Sequence, residues 1–196
     1  MLTADKLSFY LKLFPSLTVD DLFKVLSLAK ERHLEAGEVF IREGEMGSKI
    51  AYVKSGLMRT WLCNEQGEEL TLSITWEDLF VGSHDNIIFK QPSRFVCEAM
   101  EPTSLLVMEY DAIETLFAKH PEFEAMRHYF LMELLGAVVK RVESFVLLSP
   151  EERYRKLVTD RPHVVQRIPG KYLASLLGVT PVSLSRIRTR IARSKR

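Results

Sequence analysis

The residues best suited to chemistry are the arginines of the last quarter of the chain. Between Pro150 and Arg196 stand 12 lysines and arginines against Glu151, Glu152 and Asp160, a net +9, and no acid follows Asp160. The other 149 residues carry 15 bases and 23 acids, so the overall charge of +1 hides a sharp division. Guanidinium groups hold phosphate oxygens, and one carried on a helix can donate two hydrogen bonds to a guanine edge. A basic segment joined to an acidic body suits the binding of a polyanion. A merely solvated basic tail is the alternative that charge alone leaves open.

Spacing sharpens this reading. Residues 171–177 follow a helical pattern, Gly178 supplies a turn, and Thr180-Pro181 can cap and start a second helix. Leu173, Leu177, Val179, Leu184 and Ile187 are apolar, and small Ala174 stands where two crossing helices approach. That is the helix-turn-helix pattern, whose second helix lies in the major groove in DNA-binding examples. The outward positions of that helix are Pro181, Val182, Ser183, Ser185, Arg186 and Arg190; Lys171 and Thr180 complete the candidate DNA-binding set.

Other chemistries find little support. The histidines His33, His84, His120, His128 and His163 show no metal-ligand spacing. Cys63 and Cys97 cannot supply a disulfide framework, a four-cysteine zinc site or an all-cysteine iron–sulfur cluster. There is no nucleophile–base arrangement in recognisable context and no phosphate loop. Neither an enzyme, a metal nor a cofactor is expected.

The elements that must position these residues form an α+β chain. At 196 residues, 46% hydrophobic and 27% charged, it can bury real cores and divides most naturally into small domains. No stretch has the apolar length of a membrane helix, and residues 1–14 mix acids and lysines unlike a signal peptide. A cytoplasmic setting without membrane contact is expected. Helical spacing covers 2–14 and 19–33. Between 37 and 109, short runs rich in β-formers (39–41, 50–53, 57–63, 70–74, 95–99 and 104–108) alternate with turns, as in a β-sandwich or barrel. Trp61, Trp76 and the phenylalanines read as its core. Asp111 is a candidate cap for the next helix.

A long helix is predicted over 121–148, with Pro121 in its first turn. Leu131, Leu135, Val138, Val142 and Phe145 are spaced 4-3-4-3, a coiled-coil seam, and Met126, Phe130, Leu134 and Ala137 line an adjoining face. Two apolar faces need two partners: the β-domain and, most simply, the same helix of a second copy. Burial of both faces within one chain stays open. Ser149-Pro150 ends this helix and begins the basic domain.

Three blocks in this order resemble the Crp/Fnr-type transcription regulators. Residues 37–45 (Gly37 through Glu45) resemble the family's first Gly-bounded strand and turn, 52–59 its second, and 173–187 its helix-turn-helix. The resemblance covers nearly the whole chain. It implies an N-terminal double-stranded β-helix (a jelly-roll-like β-roll) with flanking helices over 1–120, a dimerisation helix over 121–148 and a DNA-binding domain over 149–196. As partners it implies duplex DNA, a second copy of the chain and a small-molecule effector, and it adds RNA polymerase to those worth testing.

The departures from the family pattern are specific. Nucleotide-binding relatives carry Gly-Glu and, about ten positions later, Arg-Ser or Arg-Thr. Here the first pair is Gly82-Ser83, the arginine's counterpart is Ser93, and Arg94 comes one place late. Val138 and Val139 stand where the helix would meet the adenine. These six residues are the effector-pocket candidates, and the expectation is a pocket that no longer binds cyclic AMP. Iron–sulfur sensing lacks its cysteines; a haem held through one histidine stays open. At the start of the recognition helix Pro181-Val182 replaces the common Arg-Glu, and the sequence reaches Arg196 without the usual winged hairpin. The expected function is homodimeric, DNA-binding transcription regulation. The alternative is a degenerate sensor or scaffold acting through protein contacts.

Overall fold

The computed structural model describes residues 4–194. Helices α1 (Ala4–Leu13) and α2 (Val19–Ser27) open the chain, and a reciprocal capping box of Thr18 and Asp21 starts α2. The second helix is shorter than its periodicity predicts. Residues 30–33, read as helical, fall in strand β1 (Lys30–Leu34), paired antiparallel to β8 (Thr103–Glu109). Its Lys-Glu-Arg-His run is exposed at a sheet edge, where charge discourages further strand pairing, and this hides the strand from an apolar-pattern reading.

The remaining strands are β2 (Val39–Ile41), β3 (Lys49–Ser55), β4 (Met58–Cys63), β5 (Glu69–Thr75), β6 (Phe80–Gly82) and β7 (Val96–Ala99). They complete two four-stranded antiparallel sheets, ordered β1-β8-β3-β6 and β2-β7-β4-β5, which face each other as a β-roll. Between them Phe40, Ile41, Val53, Met58, Cys97 and Leu105 pack with almost no solvent contact. Neither tryptophan belongs to this core, against expectation. Trp76 packs against the C-terminal helices, and Trp61 lies beneath the Arg59 guanidinium.

After short α3 (His84–Ile87) and the last two strands comes α4 (Tyr110–Lys119). Asp111 does not cap α4. It lies inside the first turn and pairs with Lys90, while Glu109 holds the cap position without a side-chain bond. Pro121–Phe123 form a separate 3₁₀ turn, so the long helix α5 runs Glu124–Leu147, later than predicted. Phe123 and Met126 are buried with Phe14, Leu17 and Leu22 in a second cluster. Beyond Phe130 this support ends: Leu134 and Ala137, expected to pack like their neighbours, are exposed.

The C-terminal unit comprises α6 (Pro150–Asp160), α7 (Pro162–Arg167), α8 (Gly170–Leu176) and α9 (Pro181–Ser194). Ser149 and Glu152 cap α6 reciprocally. A third cluster fuses this unit to the roll: Leu57 and Ile74 pack with Val164, Leu173, Ala174, Leu177 and Leu184. Among the described residues no helix is long and apolar enough to cross a membrane, and no group of His, Cys, Asp and Glu could hold a metal ion.

Candidate DNA-reading surface and sensor cassette

Helix α9 is oriented by what it buries. Leu184 goes into the cluster against α8 and Ile187 is buried beside it, which turns Pro181, Val182, Ser185, Arg186 and Arg190 to solvent. Thr180 caps the helix through its Oγ1, which accepts from the Ser183 amide at 3.1 Å, so Ser183 is partly covered. Gly178 makes the turn for two reasons. Its φ is +70°, and a Cβ there would lie 3.1 Å from the Phe145 ring. Lys171 is exposed, its Nζ 4.4 Å from the centre of the Tyr172 ring. The structure thus gathers the expected set on the two helices of the motif. Glu151 on α6 joins this surface: its carboxylate accepts from Arg190 at 2.8 Å and from Arg155 at 2.9 Å. Sequence reading missed it because nothing local links residues 39 positions apart.

The dimer-seam candidates Leu131, Leu135, Val138 and Val142 form an open apolar face on α5; Leu135 is 54% exposed. Val139, a pocket candidate, is exposed beside them, as is Val138. Phe145, last of the seam, is engaged within the chain. Its ring centre is 5.1 Å from the Arg141 guanidinium and 4.4 Å from that of Arg153, and its edge meets the Gly178 turn. Burial, with Arg153 next to it, lowers the Arg141 pKa.

The cassette of the roll is satisfied from within. Ser83 Oγ donates to Ser93 Oγ at 2.9 Å, and Ser93 Oγ donates its proton to the Phe95 carbonyl at 2.9 Å. Both serines are buried, and Ser83 also caps α3. Gly82 passes so close to β3 that a Cβ would lie 3.1 Å from the Lys49 carbonyl oxygen. Arg94 is 71% exposed at its side chain, yet it is bound to a carboxylate that is 1% exposed, that of Asp85. Its Nη2 and Nε donate at 2.9 and 3.1 Å and its amide at 2.9 Å, which holds the Asp85 carboxyl below the usual range. The buried acid was the missed signal here, two residues after Ser83.

Between the roll and the C-terminal helices lies an interface that the sequence did not disclose. Arg59, 1% exposed on the outer face of β4, pairs with Glu69 at 2.7 Å and Glu98 at 3.0 Å. Its Nε donates to Thr71 Oγ1, and its guanidinium lies over the Tyr172 ring of α8. The Thr71 amide donates to Ser175 Oγ at 2.8 Å. At the rim Arg167 is clamped between Glu77 (2.7 Å) and Glu101 (2.5 Å). The arginine pulls the Glu77 carboxyl down to about 2, and the two acids raise the Arg167 pKa in turn.

Residues 31–120 match the cyclic nucleotide-binding domain family. No curated protein matches the chain. Among solved structures, a CooA mutant from Carboxydothermus hydrogenoformans is 18% identical with a TM-score of 0.68, covering 87% of this chain and 79% of that one. The c-di-GMP responsive global regulator CLP of Xanthomonas campestris is 16% identical, TM-score 0.69, with 91% and 93% covered. FixK2 of Bradyrhizobium japonicum is also 16% identical at 0.69, with 85% and 86% covered. The central β-roll therefore matches the cyclic nucleotide-binding domain family over residues 31–120, and the chain shares the fold of CooA, CLP and FixK2.

Proposed function

We propose that this chain is a Crp/Fnr-type transcription regulator that binds duplex DNA as a homodimer through α9, with a β-roll that no longer takes cyclic AMP. One observation carries the reading. A capped helix buries Leu184 and Ile187 and turns Arg186 and Arg190 outward, in a segment with nine bases and no acids from Arg161 onward. The open seam of α5 supports pairing with a second copy, since an apolar helix face of this length is unfavourable in water. The Ser83–Ser93 pair and the Asp85–Arg94 bridge support loss of the nucleotide: the serines bond each other, and Arg94, the one-place-late arginine, already has a carboxylate in place of a cyclic phosphate.

In this reading the roll is the sensor of another effector, and α5 with the Arg59–Tyr172 and Arg167 contacts carries its state to the reading head. Two dimer arrangements would set the separation of the recognition helices. Gel shift on mixed-sequence duplex DNA from low to high salt tests the proposal. Binding that weakens steeply with salt is expected. Absence of binding even at low salt favours a scaffold that works through protein contacts.

A further inference from the structure

The geometry points to Glu151 as a specificity-determining residue of the DNA-reading surface: it holds Arg190 away from phosphate and so suppresses sequence-independent binding. This rests on the reading of α9 as the DNA-recognition helix. Pro150 and Glu151 begin α6, and the next acid, Glu152, is committed to the cap, its carboxylate accepting from the Ser149 amide and hydroxyl at 2.8 and 2.7 Å. Glu151 is free of that duty. Its Oε1 takes the Arg155 guanidinium one turn along α6, and its Oε2 reaches across to Arg190 Nη1 on α9. Between the two helices lies a groove of about 620 Å³ lined by Ser183, Arg186, Ile187 and Arg190 on one side and the start of α6 on the other.

Arg186 and Arg190 lie one helical turn apart on the same face of α9. The structure gives them different surroundings. Arg190 meets a carboxylate, whereas Arg186 lines the groove and, among the described residues, makes no salt bridge to an acid. Every arginine that settles on phosphate adds affinity for any duplex and none for a particular one. A fixed carboxylate beside Arg190 competes with phosphate for the same N–H donors and repels the backbone. Glu151 thereby lowers the sequence-independent part of binding and leaves discrimination to Arg186 and its neighbours.

The test uses the full chain, a duplex selected by the wild type from a random pool, and a mixed-sequence duplex. Glu151→Gln keeps the shape and removes the charge. It is expected to tighten binding to the mixed duplex at least threefold and to lower the ratio of selected to mixed affinity. It should also steepen the salt slope by roughly 0.9 for each arginine released to a phosphate. The increment should shrink when Arg190 is already Ala, which a change in folding alone would not produce. An unchanged ratio and slope in Glu151→Gln, at an unchanged melting temperature, overturns the inference while DNA reading stands. Weaker binding to both duplexes overturns it too, and a wild type that retains neither duplex removes the reading with it.

Discussion

The guanidinium carbon of Arg59 lies 3.8 Å from the centre of the Tyr172 ring, so a buried cation of the roll is roofed by an aromatic of the first motif helix. Deleting the buried arginine empties the space beneath that ring and strips two carboxylates of their shared cation. Arg59→Ala is therefore expected to lower the melting temperature sharply, because Glu69 and Glu98 lose their shared partner. Tyr172→Ala should keep the roll folded but loosen the reading head. Limited proteolysis between α5 and α8 reads this as faster cleavage, and equal cleavage rates would show that the contact does not hold the head.

The Arg167 clamp makes head docking dependent on acid. Glu77 has its folded-state pKa depressed from an ordinary 4.5 to about 2 by Arg167. Its contribution is complete above about pH 4.5 and is lost as pH falls toward 2. Thermal unfolding of the wild type should fall through that window, whereas Glu77→Gln starts lower and declines less. Arg167→Ala should cost roughly 1–3 kcal/mol at neutral pH. Parallel pH profiles for wild type and Glu77→Gln would remove Glu77 from the clamp.

The satisfied cassette should give no heat with cyclic AMP or cyclic GMP. Two missing charge-assisted bonds, at about 1.5–3 kcal/mol each, weaken binding by at least roughly two powers of ten. Arg94 is held by Asp85, so Arg94→Ala should leave the titration flat. Micromolar binding of either nucleotide would show that the pocket can open.

Burial in the roll pushes the Cys97 thiol up to about 11, whereas Cys63 is exposed. A thiol reagent at pH 8 should therefore label one cysteine fast and the second only on unfolding. Two fast thiols would mean a roll more open than this packing.

The exposed face of α5 should close in a dimer. Truncating Leu131 or Leu135 to Ala is expected to cost about 2–5 kcal/mol of association and to shift sedimentation toward the monomer. A wild type that sediments as a monomer at micromolar concentration would refute the pairing.

What the sequence disclosed followed from local pattern. Helices α8 and α9 and the turn between them were legible because their buried leucines, Gly178 and the Thr180-Pro181 start are all short-range signals. Six strands were legible from β-formers between turns. β1 was not, since its charged edge carries no apolar alternation, and β6 (Phe80–Gly82) ends on a glycine immediately before the cap of α3, with no β-forming run of its own. The contacts that join roll to head escaped for a different reason. Arg59 with Tyr172, Arg167 with Glu77, and Arg190 with Glu151 are pairs of charged or aromatic residues distant in the chain, and single-sequence periodicity carries no sign of them. Asp85 escaped because a buried acid in a single helical turn looks like any surface acid until its arginine is placed.

The most direct measurement is the binding of the wild type and Arg186→Ala to duplexes selected from a random pool. The account expects selected sites with two-fold related halves about one helical turn, roughly 34 Å, apart. It expects Arg186→Ala to lose about 1–3 kcal/mol on them, with relaxed preference at the contacted base. A wild type that enriches no duplex at low salt, or an Arg186→Ala that binds the selected sites as tightly as the wild type, would contradict DNA reading by α9.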